Sequence, residues 1–118
     1  FFLAKHGFVE KDLSDPEGKS MVCKRFIVGL NERVLVVDDV VTTGHSLYEI
    51  RKAIQKRHLN KIKFDSTVGC VFHRPSKLPI IYKDIKVVSL IEKEVWTSKP
   101  GECPLCRAGS KRLRQKDN

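Results

Sequence analysis

The sequence predicts an α/β fold, a mostly parallel sheet flanked by helices, and two observations carry that prediction. Val34 to Val37 is an uninterrupted β-branched and aliphatic run, the pattern of a strand buried on both faces of a parallel sheet. An amphipathic helical stretch comes next, then a second strand-like run from Ser66 to Phe72. The unit from 34 to 72 is therefore strand–helix–strand, and the right-handed crossover rule makes its two strands parallel.

Phe1 to Ala4 reads as a strand, and the absence of an initiator methionine leads us to expect the C-terminal portion of a longer protein. His6 to Ser20 is polar and broken by Gly7, Asp15-Pro16 and Gly18, so it reads as a mobile loop. Met21 to Val28 is a second strand-like run, turning at Leu30-Asn31-Glu32. After the Val34 strand, a helix is expected from about Leu47 to about His58, with Leu47, Ile50, Ala53 and Ile54 on one face. Ser66 to Phe72 and Ile85 to Ile91 complete the strands. Residues 1–95 form the expected core and 96–118 a tail carrying Cys103-Pro104-Leu105-Cys106. The 118 residues suffice for one small domain with a modest core. No internal repeat, low-complexity tract or transmembrane span is visible.

The segment Val34-Leu35-Val36-Val37-Asp38-Asp39-Val40-Val41-Thr42-Thr43-Gly44-His45-Ser46 carries the chemistry. Asp38 and Asp39 stand where the strand emerges, the side of an open α/β sheet on which ligands bind. Adjacent carboxylates repel unless hydroxyls, a cation or solvent relieve them. A ribose diol offers two donors, and Mg²⁺ accepts hard oxygen ligands. Thr42, Thr43, Gly44, His45 and Ser46 add hydroxyls and amides, Gly44 permits a close turn around an anion, and the helix adds its positive dipole end. The plain structural alternative is a capping turn, with Ser46-Leu47-Tyr48-Glu49 as a capping box. The combination of features favours a phosphate site over that alternative.

Residues 34–46 closely resemble the phosphoribosyl-pyrophosphate (PRPP) binding motif of type I phosphoribosyltransferases. The resemblance implies the type I phosphoribosyltransferase fold, here only about its C-terminal half, without the first strands, the pyrophosphate loop and much of the base-covering hood. It implies that Asp38 and Asp39 grip the ribose and that Val40, Val41, Thr42, Thr43, Gly44, His45 and Ser46 complete the PRPP-binding set. His45 stands where a small residue is more usual. In the family a flexible loop closes over the site and brings cations to the leaving pyrophosphate. Lys5 matches the basic residue ending the preceding strand, Lys19 is the candidate loop lysine ahead of Lys11, and Lys24-Arg25 matches a basic pair on the returning strand. A solvated loop in a lysine-rich chain is the alternative for each.

Phe72-His73-Arg74 falls where orotate phosphoribosyltransferases carry an Asp-Arg pair whose arginine contacts orotate. Arg74 is thus the base-binding candidate, suited to a charge-assisted bond with a carboxylated pyrimidine, while His73 departs from the usual acid. Tyr82 and Trp96 are expected in the core or an interface. The stretch from Trp96 to Gly109 resembles the tail of a subset of orotate phosphoribosyltransferase-like proteins that share its Cys-Pro-Leu-Cys knuckle. Cys103 and Cys106 make half a zinc site, since structural zinc wants four ligands; Cys23, Cys70, the histidines or a twofold mate could complete it, though nothing in the spacing compels this. A packing turn or thiol pair is the favoured reading, with thiols kept reduced in an intracellular, cytoplasmic setting.

The formal net charge of +9 suits anionic substrates. Arg51 to Lys63 is basic with no acid, as is Lys111 to Lys116, but no nucleic-acid motif accompanies them. The expected activity is Mg²⁺-dependent transfer of ribose 5-phosphate from PRPP to a nucleobase, orotate favoured, with pyrophosphate released. A homodimer without membrane or nucleic-acid partners is expected. A purine acceptor or a non-catalytic PRPP-binding regulator are the rivals.

Overall fold

The computed structural model describes residues 4–111. The strand expected over Phe1–Ala4 and the basic residues from Arg112 onward lie outside the described residues, apart from Ala4 itself. The element order is β1 (Glu10–Lys11), β2 (Met21–Val22), β3 (Arg33–Val41), α1 (His45–Arg57), β4 (Lys63–His73) and β5 (Lys86–Glu92). A 3-10 turn at Pro100–Glu102 and a short helix α2 at Pro104–Arg107 come last.

The principal sheet has the order β3-β4-β5 with both pairings parallel, and α1 is the crossover between β3 and β4. The expected parallel α/β arrangement is therefore present. Its ladder is regular except near the start, where Val34 faces Phe64 but Val36 faces Val68. Two residues on β3 span four on β4 there, and the slack is taken up by a turn in which Asp65 accepts the Thr67 amide at 2.9 Å.

Leu47, Ala53 and Ile54 form the buried side of α1, as their spacing predicts. Leu47, fully enclosed, joins Val36, Val41, Val68, Cys70, Tyr82 and Ile85 in one core cluster. Ile54 joins Cys23, Val28 and Ile62 in a second. The helix thus clamps the sheet to the 23–28 segment, which is not a strand. Only Met21–Val22 of the expected run is extended in a ladder. Val28 instead donates its amide to His58 Nε2 at 2.8 Å, while His58 Nδ1 reaches the Ile54 carbonyl at 2.7 Å. A side chain terminating the helix has captured a backbone group that a longer ladder would have used.

Two further expectations are corrected. β3 is not buried on both faces: Val36 is enclosed, whereas Leu35 and Val37 are exposed. Val37 aligns with Gly69 and Val88 across the sheet, and with Val71 and Leu90 they leave one apolar face open among the described residues. Tyr82 is in the core, and Trp96 is exposed on the surface of the single chain, which leaves the interface reading of Trp96 untested. Within the polar stretch 6–20, Glu10 pairs with Val22 and Lys11 with Met21, forming a small antiparallel hairpin. Asp15 organises its turn by accepting the amides of Glu17, Lys19 and Ser20. Hydrogen bonding from Ser20 foremost holds its carboxyl down at about 2.

The enclosed position of Leu47 gives a direct check. Leu47→Ala should lower unfolding free energy by about 2–5 kcal/mol, whereas Leu59→Ala, fully exposed beyond the helix, should change it by less than ~0.5 kcal/mol. Denaturant midpoints of the two variants measure the difference.

Candidate active site

β3 delivers the motif to the C-terminal edge of the sheet, and the shape of the loop beyond it depends on how that strand ends. The Val41 carbonyl accepts the Arg74 amide at 2.8 Å, and the Thr42 carbonyl accepts the Tyr82 hydroxyl at 2.9 Å. With both carbonyls taken, the chain turns at Gly44, whose φ of 77° is in the left-handed region. A Cβ there would also lie 2.5 Å from the Tyr82 ring. Backbone conformation and close approach therefore both require glycine.

α1 then starts at His45 with Gly44 as its N-cap, no side-chain cap and no acidic residue in its first turn. The capping-box alternative does not form. Ser46 instead donates its hydroxyl to Asp38 Oδ2 at 3.3 Å, linking the acid to the loop. The amides of Thr43 and Gly44 have no hydrogen-bond partner among the described residues, and that of Ser46 is a first-turn donor that the helix itself cannot satisfy. Thr43 Oγ1 reaches the His45 amide at 3.5 Å, too long to compete strongly with a charged acceptor. A row of open donors at a positive helix end is suited to a phosphate.

The two acids differ. Asp39 is exposed and folds back to accept the Val40 amide at 2.8 Å. Asp38 is half-buried beside Cys70 in the ladder and accepts the Asp39 amide at 3.0 Å. Burial is the main cause that pushes its carboxyl above the ordinary value of 3.8, with the Asp39 side chain and charge adding to it. Val40 is exposed and Val41 fully buried, so the second acts as packing beneath the loop.

The remaining candidates lie at varied distances from this centre. Arg74 is exposed and tied through its backbone to the end of β3, hence beside the motif. Lys5 pairs with Glu32 at 2.5 Å. Glu32 precedes β3, so this ammonium is held about 20 Å of extended strand away from Asp38. Lys19 pairs with Glu17 at 2.8 Å in the hairpin turn. Both pairs are largely exposed and worth at most ~1 kcal/mol.

His73, read from sequence only as a departure from an acid, is buried and bonded to Tyr82 and Glu92 rather than presented outward. Cys103 accepts the Cys106 amide at 3.4 Å, the main cause lowering its thiol below the ordinary value. Among the described residues no group of three or more metal-ligating side chains comes together, and Cys23 and Cys70 are buried in separate clusters.

The phosphoribosyl transferase domain model matches residues 6–105. The chain belongs to that family. It is 34% identical over 94 residues to the orotate phosphoribosyltransferase of Chlorobium phaeobacteroides, covering 79% of this chain and 45% of the relative. Identity to the Chlorobaculum parvum orotate phosphoribosyltransferase is 33% over 93 residues, covering 79% and 45%. For the Thermoanaerobacter sp. orotate phosphoribosyltransferase it is 32% over 106 residues, covering 90% and 50%. The chain spans about half the length of the curated relatives it matches, aligning with their C-terminal half. No solved structure matches it. No helix among the described residues is long and apolar enough to cross a membrane.

The raised Asp38 value has a stability consequence. Above its folded value the buried carboxylate is ionised at a cost, and that cost disappears as pH falls through the folded value towards 3.8. Asp38→Asn should therefore unfold at a higher temperature than wild type near pH 7. The advantage should shrink as the pH is lowered to about 4, as thermal melts across that range would record.

Proposed function

We propose that the protein of which this chain is part transfers ribose 5-phosphate from PRPP to a nucleobase nitrogen, releasing pyrophosphate, with orotate as the favoured acceptor. The observation that carries this reading is the end of β3: two carboxylates and then a glycine-built loop of open amides leading into an uncapped helix. The amides and hydroxyls of 42–46 would hold the 5-phosphate, and Asp38 and Asp39 would accept from the ribose hydroxyls.

In the reaction the bond from ribose C1 to pyrophosphate breaks, its electron pair leaving with pyrophosphate. The base nitrogen supplies the pair for the new C1–N bond, and the proton it carried departs to solvent. Breaking ahead of making leaves positive charge on the ribose, which the fixed carboxylates would stabilise. Mg²⁺ would neutralise the pyrophosphate oxygens when bound. The exposed Asp39 carboxylate is a hard oxygen donor of the kind that ion accepts, with PRPP itself the main ligand.

Lys19 and Lys5 would serve the leaving group only after exchanging Glu17 and Glu32 for pyrophosphate. The weakness of exposed pairs makes this an easy exchange. Arg74, beside the motif, would meet the orotate carboxylate; the names of the relatives support that choice of base. A cytoplasmic homodimer belongs to the same reading, on the strength of the family resemblance.

The test is pyrophosphate release by the full-length protein from PRPP and Mg²⁺, with orotate, uracil, hypoxanthine, guanine and adenine each supplied. Release with orotate alone is expected, and the Asp38→Asn, Asp39→Asn double variant should lose at least about a thousandfold in rate while keeping its circular dichroism. Near-normal turnover by that variant would overturn the assignment. Turnover with a purine would overturn the choice of base. PRPP binding without turnover on any base would replace the enzyme with a PRPP-binding regulator.

A further inference from the structure

Beneath the loop lies a chain of hydrogen bonds, buried at its centre and ending at the half-exposed Glu92 side chain, that the reaction chemistry does not use. The Tyr82 hydroxyl donates to the Thr42 carbonyl at 2.9 Å. His73 Nε2 lies 2.9 Å from the same hydroxyl, and His73 Nδ1 lies 2.7 Å from Glu92 Oε2. A phenol has one proton; with that proton on Thr42, the hydroxyl oxygen accepts from Nε2–H and the carboxylate from Nδ1–H, a set of bonds that requires the imidazolium, with both ring nitrogens protonated. Glu92, His73 and Tyr82 thus line up in one direction, each orienting the next. His73 is 4% exposed and Tyr82 8%. Burying two polar groups is costly unless every bond is made, and a phenylalanine at 82 would fill the same space without that demand.

The hydroxyl holds the carbonyl just before the loop, while the ring lies against Gly44, where an added Cβ would sit 2.5 Å from it. Tyr82 therefore meets the loop at two points, two residues apart. Its own position is referred through His73 and Glu92 to the last residues of β4 and β5. A cavity lined by Pro79, Ile80, Ile85 and Val87 also has His73 and Tyr82 in its wall. Core packing encloses the pair, and the hydrogen bonds fix the direction in which its polar atoms point.

We propose that Tyr82, oriented by His73 and Glu92, is a positioning residue for the phosphate loop: it holds the Thr42 carbonyl and the floor under Gly44 so that the open amides face a phosphate monoester in advance. For the identity of that ligand the inference rests on the phosphoribosyltransferase reading; the geometry does not. A loop ordered beforehand spares the ligand the cost of ordering it. The 5-phosphate is bound alike before and during reaction at C1, so the effect belongs to affinity rather than to turnover.

Tyr82→Phe in the full-length protein tests this, because it keeps the ring and removes one hydroxyl. The KM for PRPP should rise about tenfold, with kcat within about twofold and the KM for the base unchanged. Independently of any activity, backbone order parameters at Thr43, Gly44 and His45 should fall from about 0.85 to below about 0.6, with α1 and β4 unaffected. An unchanged loop, loosening spread through the sheet, or a fall in kcat at constant KM would each overturn the proposal. Should the wild-type protein not use PRPP, the phosphoribosyltransferase reading fails and the order parameters alone decide the role of Tyr82.

Discussion

The site depends on two occupied carbonyls. The Val41 carbonyl accepts the last ladder bond, from the Arg74 amide, and the next carbonyl, Thr42, is taken by the Tyr82 hydroxyl instead of the sheet; there the strand ends and the backbone turns. Gly44 permits that turn beneath the Tyr82 ring, and the next amides are left facing out. The helix begins without a side-chain cap, which elsewhere would waste stability of about 1 kcal/mol. Here it leaves donors and the positive dipole end available to an anion. The loop, the helix start and the acid–serine link all result from where β3 stops.

The acids show the opposite economy. Asp38 sits half-buried, with its carboxyl pushed up by desolvation and by its neighbour. The strand would be more comfortable with an uncharged residue at that point. A ligand bringing hydroxyl donors would relieve that strain, which couples binding to the protonation and stability of the fold. Asp39 remains in water and accepts the Val40 amide.

Much of this was legible in the residues. The β-branched run, the Asp-Asp pair, the glycine loop and the helix period pointed to the strand–loop–helix unit, because local pattern and tertiary need coincide there. Leu47, Ala53 and Ile54 were readable for the same reason. What escaped was set by partners distant in sequence. Arg51 opens the basic, acid-free stretch, yet it is nearly buried, over Phe64 at 5.5 Å and paired with Asp84 33 residues away. His73 looked like a lost acid; its role depends on Glu92 and Tyr82, which no local spacing announces. The 23–28 run has strand composition but lost its ladder to His58. Ser46 satisfied a capping pattern that an earlier glycine made irrelevant. The apolar run of β3 has the pattern of a doubly covered strand, while the described residues cover one side.

The central claim is that the loop from Thr42 to Ser46, with Asp38 and Asp39, is where the sugar phosphate sits. Titrating PRPP into the isotopically labelled full-length protein and tracking backbone amide resonances tests it most directly. The account predicts that the largest shifts fall on Thr43, Gly44, His45 and Ser46, with smaller ones at Asp38 and Asp39, and that the β1–β2 turn changes less when ribose 5-phosphate replaces PRPP. Saturable shifts confined to another part of the surface, with the 42–46 amides unmoved, would contradict it.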